Sequence, residues 1–224
     1  MWCIAKLTEE YISRMEHLCD LYAKHYDPLN PVLCFDEKSK QSLANERSPI
    51  AAKEGSFEKI DYEYKRNGTR NLFVAVEPLD GWRNISVTKR RTRKDFANEI
   101  KRIIELPRYH IAKTIHFVLD NLNTHFEKSF VEAFGQAETM HIMEKIQFHY
   151  TPKHASWLNM AEMEIGILDR ESIRGRIGTE EKLIIHTNAY QKARNDKKSK
   201  ITWKFTTEKA REKFKYEVNT NLQN

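Results

Sequence analysis

Two aspartates in this chain each close an apolar run. Asp36 follows Pro31-Val-Leu-Cys-Phe35, and Asp120 follows Ile115-His-Phe-Val-Leu119. Runs of this length and composition read as strands. In open mixed or parallel sheets, the C-terminal strand ends deliver side chains from neighbouring strands into one crevice. Two carboxylates there make a metal site, although a single strand-end aspartate also serves as an ordinary turn cap.

A third acid lies in Trp157-Leu-Asn-Met-Ala-Glu-Met-Glu164. At 3.6 residues per turn, Glu162 shares a helical face with Leu158, Ile165 and Asp169, while Glu164 points about 200° away, so both cannot face one metal. The apolar neighbours of Glu162 favour it as the acid turned toward the sheet. A glutamate on a solvated helix surface is the competing reading. Three carboxylates suit magnesium. Two such ions a few ångströms apart activate a water or hydroxyl and stabilise the leaving oxygen of a phosphodiester.

Other residues near these acids have two readings each. Asn121, Asn123 and His125 follow the second aspartate, where they orient it, contact a phosphate or simply form a turn. His149 and His154 flank Thr151-Pro152. With His125 they raise zinc, but their spacing matches no zinc pattern and the carboxylates suit magnesium better. Lys153 is a candidate phosphate contact. Trp157 packs a helix on the sheet or stacks on a base. The basic run Lys89, Arg90, Arg91, Arg93 and Lys94 either grips a nucleic-acid backbone or forms a solvated loop.

The elements that must position these residues can be read along the chain. Residues 8–26 carry apolar side chains at three- and four-residue steps and predict a helix, ended by Asp27-Pro28. The strand at 31–37 is followed by a polar excursion over 39–69, then by a hairpin of 71–76 and 82–87 across the turn Pro78-Leu-Asp-Gly81. A helix is expected over 92–106 and a buried parallel strand over 114–120. A helical region over 127–145, a strand over 146–150 and a helix over 157–173 follow. The β-like Ile201-Thr-Trp-Lys-Phe205 lies in what reads as a peripheral, basic tail. The order predicts an α/β fold, a mixed five-stranded sheet flanked by helices.

Composition narrows the class only a little. The 224 residues suit one sizeable domain with a helical tail. The net charge of +6, from 38 Lys and Arg against 32 Asp and Glu, is compatible with a phosphate-bearing partner. Cys3, Cys19 and Cys34 form no CxxC pair, which argues against a disulfide framework and fits a reducing cytoplasm. No apolar run is long enough to span a membrane, and no signal-peptide layout opens the chain.

Three stretches together carry a resemblance. Cys34-Phe-Asp-Glu-Lys38, Val118-Leu-Asp-Asn-Leu-Asn-Thr-His125 and Phe148-His-Tyr-Thr-Pro-Lys-His-Ala-Ser-Trp-Leu-Asn-Met-Ala-Glu162 resemble, in order, the signature blocks of DDE transposases of bacterial insertion sequences in the mariner-like superfamily, insertion-sequence family six-thirty. The resemblance runs from Trp2 to about residue 175. It implies a ribonuclease-H-like fold, Asp36, Asp120 and Glu162 as the catalytic and metal-holding triad, and magnesium or manganese. It also implies nicking at the ends of an inverted-repeat element, strand transfer into target DNA at a TA dinucleotide, and a homodimer in a DNA complex on the chromosome.

The expected organisation is a helical lead-in over 1–30, a catalytic domain over 31–175 and a basic extension over 176–224. Two features depart from the family pattern. The 41 residues between Asp120 and Glu162 exceed the usual spacing, and the paired helix-turn-helix region expected ahead of the catalytic domain is absent from this sequence. A truncated DNA-binding remnant and a ribonuclease-H-like nuclease without strand transfer are the rival expectations.

Overall fold

A computed structural model describes residues 7–120 and 127–216. Five strands form one sheet in the order β3-β2-β1-β4-β5. They are β1 (Val32–Asn45), β2 (Tyr64–Glu77), β3 (Trp82–Thr88), β4 (Ile115–Leu119) and β5 (Ile146–Tyr150). β1, β2 and β3 pair antiparallel, whereas β1–β4 and β4–β5 are parallel, so the expected mixed sheet is present. The parallel strands β4 and β5 need crossovers, and helices supply them.

Side chains alternate across the sheet, so each face gathers its own core. On one face Leu33, Phe35, Phe73, Phe117 and Leu119 pack with α2 (Arg93–Ile104), α3 (Glu127–Phe134) and α4 (Gln136–Lys145). On the other face Val32, Cys34, Val76 and Val118 pack with α1 (Glu9–Ala23), the start of α5 (Met160–Glu171) and α7 (Thr207–Phe214). Farther along that face, Leu72, Val74 and Ile85 pack with Leu168 of α5 and with Leu183 and Tyr190 of α6 (Glu180–Asp196). Residues beyond 176 thus contribute buried side chains to the same sheet as the first strand.

Several local expectations are corrected. Asp36 is not at a strand end. β1 continues to Asn45 and β2 begins at Tyr64, so much of the 39–69 excursion is an antiparallel arm. That arm has few buried residues and therefore lacks the apolar periodicity that would have revealed it. The helical region over 127–145 is two helices, broken at Gly135, whose φ of 81° suits glycine best. The helix expected at 157 begins at Met160, after a 3-10 turn at Ser156–Leu158. Ile201 to Phe205 forms no strand, and its Trp203 and Phe205 rings pack on the second core instead.

Candidate active site

Strand register brings the two aspartates together. Cys34 is the parallel partner of Val118, and Asp36 and Asp120 each follow that pair by two residues. Both therefore lie on one sheet face, at the point where β4 stops and β1 runs on beside β2. The crevice predicted at a strand end is that of β4 alone. Asp36 is buried, and its Oδ1 accepts from the backbone N–H of Glu37 at 2.7 Å.

The third acid reaches this point from α5. Asp36, Asp120 and Glu162 line one open cavity of about 430 Å³, with Glu37, Lys38 and Arg91 also on its wall. Gly166, one turn along α5 from Glu162, leaves that wall without a side chain, so the cavity stays open. Among the described residues, no three His, Cys, Asp or Glu side chains are drawn together tightly enough to enclose one ion. The donor chemistry of the cavity is nevertheless all oxygen, the kind that magnesium and manganese take.

Asn159 fixes where α5 begins. Its Oδ1 accepts from Ala161 N at 3.1 Å as the helix N-cap, and its Nδ2 donates to the carbonyl of Phe35 at 2.9 Å. The residue is fully buried. One side chain thus ties the helix carrying Glu162 to the residue preceding Asp36. Sequence reasoning does not single out Asn159, yet a signal is present. An asparagine followed three residues later by a glutamate, ahead of an apolar run, has the spacing of a helix start.

Glu162 and Glu164 of α5 part company, though not for the reason that their sequence neighbours suggest. Glu162 is exposed at the cavity, and the acid turned toward the sheet is Glu164. Glu164 is fully buried and forms a bidentate pair with Arg83 of β3, Nε to Oε1 at 2.8 Å and Nη2 to Oε2 at 2.9 Å. Burial pushes its carboxyl pKa up, but hydrogen bonds from Arg83 and Tyr190 and the charges of Arg83 and Arg194 outweigh this and hold it below the usual range. No local pattern could show a partner 81 residues away.

The remaining predicted site residues are scattered. Arg91 lies on the carboxylate cavity with Nη1 3.7 Å from Oε2 of Glu37, whose side chain is only 2% exposed. Arg90 and Arg93 line a separate cavity at the start of α2, where Arg93 pairs with Glu132 at 3.1 Å. The Lys89 carbonyl accepts from Asn71 Nδ2 at 3.3 Å. Lys153 and His154 border a third cavity, with Tyr11 and Arg14 of α1. Trp157 is 39% exposed and stacks edge-on against Phe205. Asn121, Asn123 and His125 lie outside the described residues.

His149 faces the interior. Its Nδ1 is 2.8 Å from His17 Nε2 and its Nε2 is 2.9 Å from His116 Nδ1, so both ring nitrogens are engaged within the protein. Burial, reinforced by the neighbouring His116, His17 and Lys24, pushes its pKa down from 6.5 to about 3.

A mixed five-stranded sheet in the order β3-β2-β1-β4-β5 with helices on both faces defines the ribonuclease-H-like class of fold. Residues 31–184 match the DDE superfamily endonuclease family, and the chain belongs to it. Solved structures of similar fold include the Mos1 mariner paired end complex with Mn, at 15% identity, TM-score 0.56, over 88% of this chain and 60% of that one. The Mos1 strand transfer complex matches at 14% identity and TM-score 0.53, over 88% of this chain and 58% of that one. A pre-cleavage Mos1 transpososome matches at 15% identity and TM-score 0.51, over 88% and 60%. The chain thus spans about 60% of the length of the chains it resembles in structure. No curated protein matches it. Among the described residues, no helix is long and apolar enough to cross a membrane.

Proposed function

We propose that this chain is the catalytic part of a transposase of the mariner-like superfamily, of the bacterial insertion-sequence type. It nicks DNA at the ends of an inverted-repeat element and joins the freed 3′-hydroxyl to target DNA. The observation that carries this reading is the convergence of Asp36, Asp120 and Glu162, from β1, the end of β4 and α5, on one cavity of a DDE endonuclease fold.

Asp36, Asp120 and Glu162 are the residues that hold magnesium or manganese in this reading. When bound, these cations supply Lewis-acid activation of the attacking oxygen and stabilise the leaving oxygen of the phosphodiester. Asp36 stands within β1 and Asp120 directly follows the last residue of β4, so the sheet anchors both from their N-terminal side. Asn159 holds the start of α5 so that Glu162 faces the cavity they line. Arg91 places a positive charge on the same cavity wall, where it attracts a phosphodiester toward the acids. Arg90 and Arg93 at the start of α2, and Lys153 and His154 beside α1, serve as DNA-backbone contacts away from the acids, and two copies acting on paired ends complete the complex.

The test is cleavage of duplex carrying the element's ends, with magnesium or manganese present. Asp36→Asn and Glu162→Gln should each abolish nicking while leaving the fold and DNA binding intact. Nicking that survives either change refutes the assignment. A labelled joined product separates a transposase from a nuclease that only cuts.

A further inference from the structure

Glu164 sits two residues beyond Glu162, about 200° around α5 and buried against the sheet. Besides Arg83, it accepts from the Tyr190 hydroxyl at 2.6 Å and from Arg194 Nη2 at 3.3 Å. Both partners come from α6, past the end of the stretch that matches the endonuclease family at 184. α6 is in turn fixed to β3, an edge strand. Asn195 accepts from Arg83 N at 2.7 Å and donates to Arg83 O at 2.9 Å, and Gln191 accepts from Ile85 N at 2.8 Å.

Affinity alone does not explain this arrangement. Buried ion pairs break even at best against apolar packing of the same volume, and Leu168 with Leu183 already supplies apolar packing here. What directional bonds add is orientation. An apolar contact tolerates a helix turning about its axis, whereas four hydrogen bonds on one carboxylate do not. Any rotation of α5 swings Glu162 relative to Asp36 and Asp120, because each residue carries its side chain a fixed angle around the helix. Asn159 pins the start of α5, and Glu164 pins it again within the next turn.

We propose that Tyr190 and Arg194 are positioning residues for Glu162. Acting through Glu164, they set the rotation of α5 and so the placement of the third carboxylate. The inference rests on the assignment of Glu162 as a cation-holding acid and extends the functional unit into α6.

The test is calorimetric titration of the folded chain with Mn2+, with melting in chelator as the control for folding. Tyr190→Phe removes one hydroxyl and Arg194→Met removes one charge, while both keep their apolar stems. Direct partners of ligands typically change metal affinity about 10–100-fold, and these residues act one link farther out, so each should weaken Mn2+ binding about 3–10-fold. Arg194→Lys should restore most of that loss. Leu183→Ala, in the same helix and core, should lower the melting temperature more than either while leaving Mn2+ affinity as in the wild type. Wild-type affinity in Tyr190→Phe and Arg194→Met overturns the proposal. So does a loss in Leu183→Ala that matches theirs. Absence of Mn2+ binding by the wild type, or binding unaffected by Glu162→Gln, is a separate result: it overturns the functional reading, and the positioning role falls with it.

Discussion

Asn159 and Phe35 are joined by a 2.9 Å hydrogen bond from side-chain amide to backbone carbonyl, and that bond connects two of the three acids. Phe35 precedes Asp36, and Asn159 opens the helix that carries Glu162. Asn159→Ala removes a helix cap, at about 0.5–2 kcal/mol. It also strands a buried carbonyl, at about 1–3 kcal/mol. A total loss of about 1.5–5 kcal/mol in urea denaturation is expected, accompanied by reduced cleavage. Asn159→Asp keeps the cap but cannot donate to Phe35, so it should retain more stability than alanine yet still cleave poorly. Full cleavage by the aspartate variant would show that the tie to β1 is dispensable.

The basic run between β3 and α2 divides by location, and this gives a second prediction. Arg91 faces the carboxylates, whereas Arg90 lines a cavity at the start of α2. Arg90→Gln should weaken DNA binding and reduce the dependence of log affinity on log salt by about 0.9, the share of one phosphate no longer neutralised. Its cleavage at saturating DNA should be unchanged. Arg91→Gln should lower cleavage at saturating DNA as well. Identical behaviour of the two variants would remove the distinction drawn from their positions.

Much of the fold was legible because the burial is extreme. Ile115 to Leu119 is nearly all apolar, as a central parallel strand must be, and Asp120 stood out against it. The β1–β2 arm was not legible, since Lys38 to Asn45 is mostly polar and is mostly exposed or only half-buried. Glu164 was hidden for a different reason. Its burial is set by Arg83, Tyr190 and Arg194, all distant in sequence, and helical periodicity assigns a face by neighbours along the chain only. Register was equally out of reach. The chain shows two aspartates after two apolar runs, while the pairing of Cys34 with Val118 that puts them side by side is a tertiary fact.

The interior imidazoles give a prediction about pH. His149 lies between His17 of α1 and His116 of β4, with the Lys24 charge nearby. Its folded pKa of about 3 lies below its usual 6.5, so between those values the unfolded chain binds a proton that the folded chain does not. Stability contributed by this site is complete above pH 6.5 and is lost as the pH falls toward 3. For a single proton the slope cannot exceed about 1.4 kcal/mol per pH unit. Melting temperatures of the wild type should therefore fall from pH 7 to pH 5, and those of His149→Leu should fall less. A variant that tracks the wild type over that range would assign the acid sensitivity to other groups.

The pair Arg83–Glu164 is fully buried on both sides, and this sets apart the cost of breaking it from the cost of replacing it. Glu164→Gln leaves the Arg83 guanidinium without a counter-charge in the interior, and Arg83→Met removes the carboxylate's buried bidentate partner. Each should destabilise by about 3–5 kcal/mol, a large share of the stability of a typical domain. The Glu164 carboxylate would keep Tyr190 and Arg194 in the second case, so Arg83→Met should be the milder of the two. Replacing both by apolar residues of similar volume removes both charges at once and should recover most of the loss, as measured by a double-mutant cycle in urea. Recovery of stability should not bring recovery of cleavage, because a well-packed apolar contact holds α5 against the sheet without fixing its rotation. If the doubly apolar variant is both stable and fully active, the pair serves stability alone and Glu162 finds its place without it.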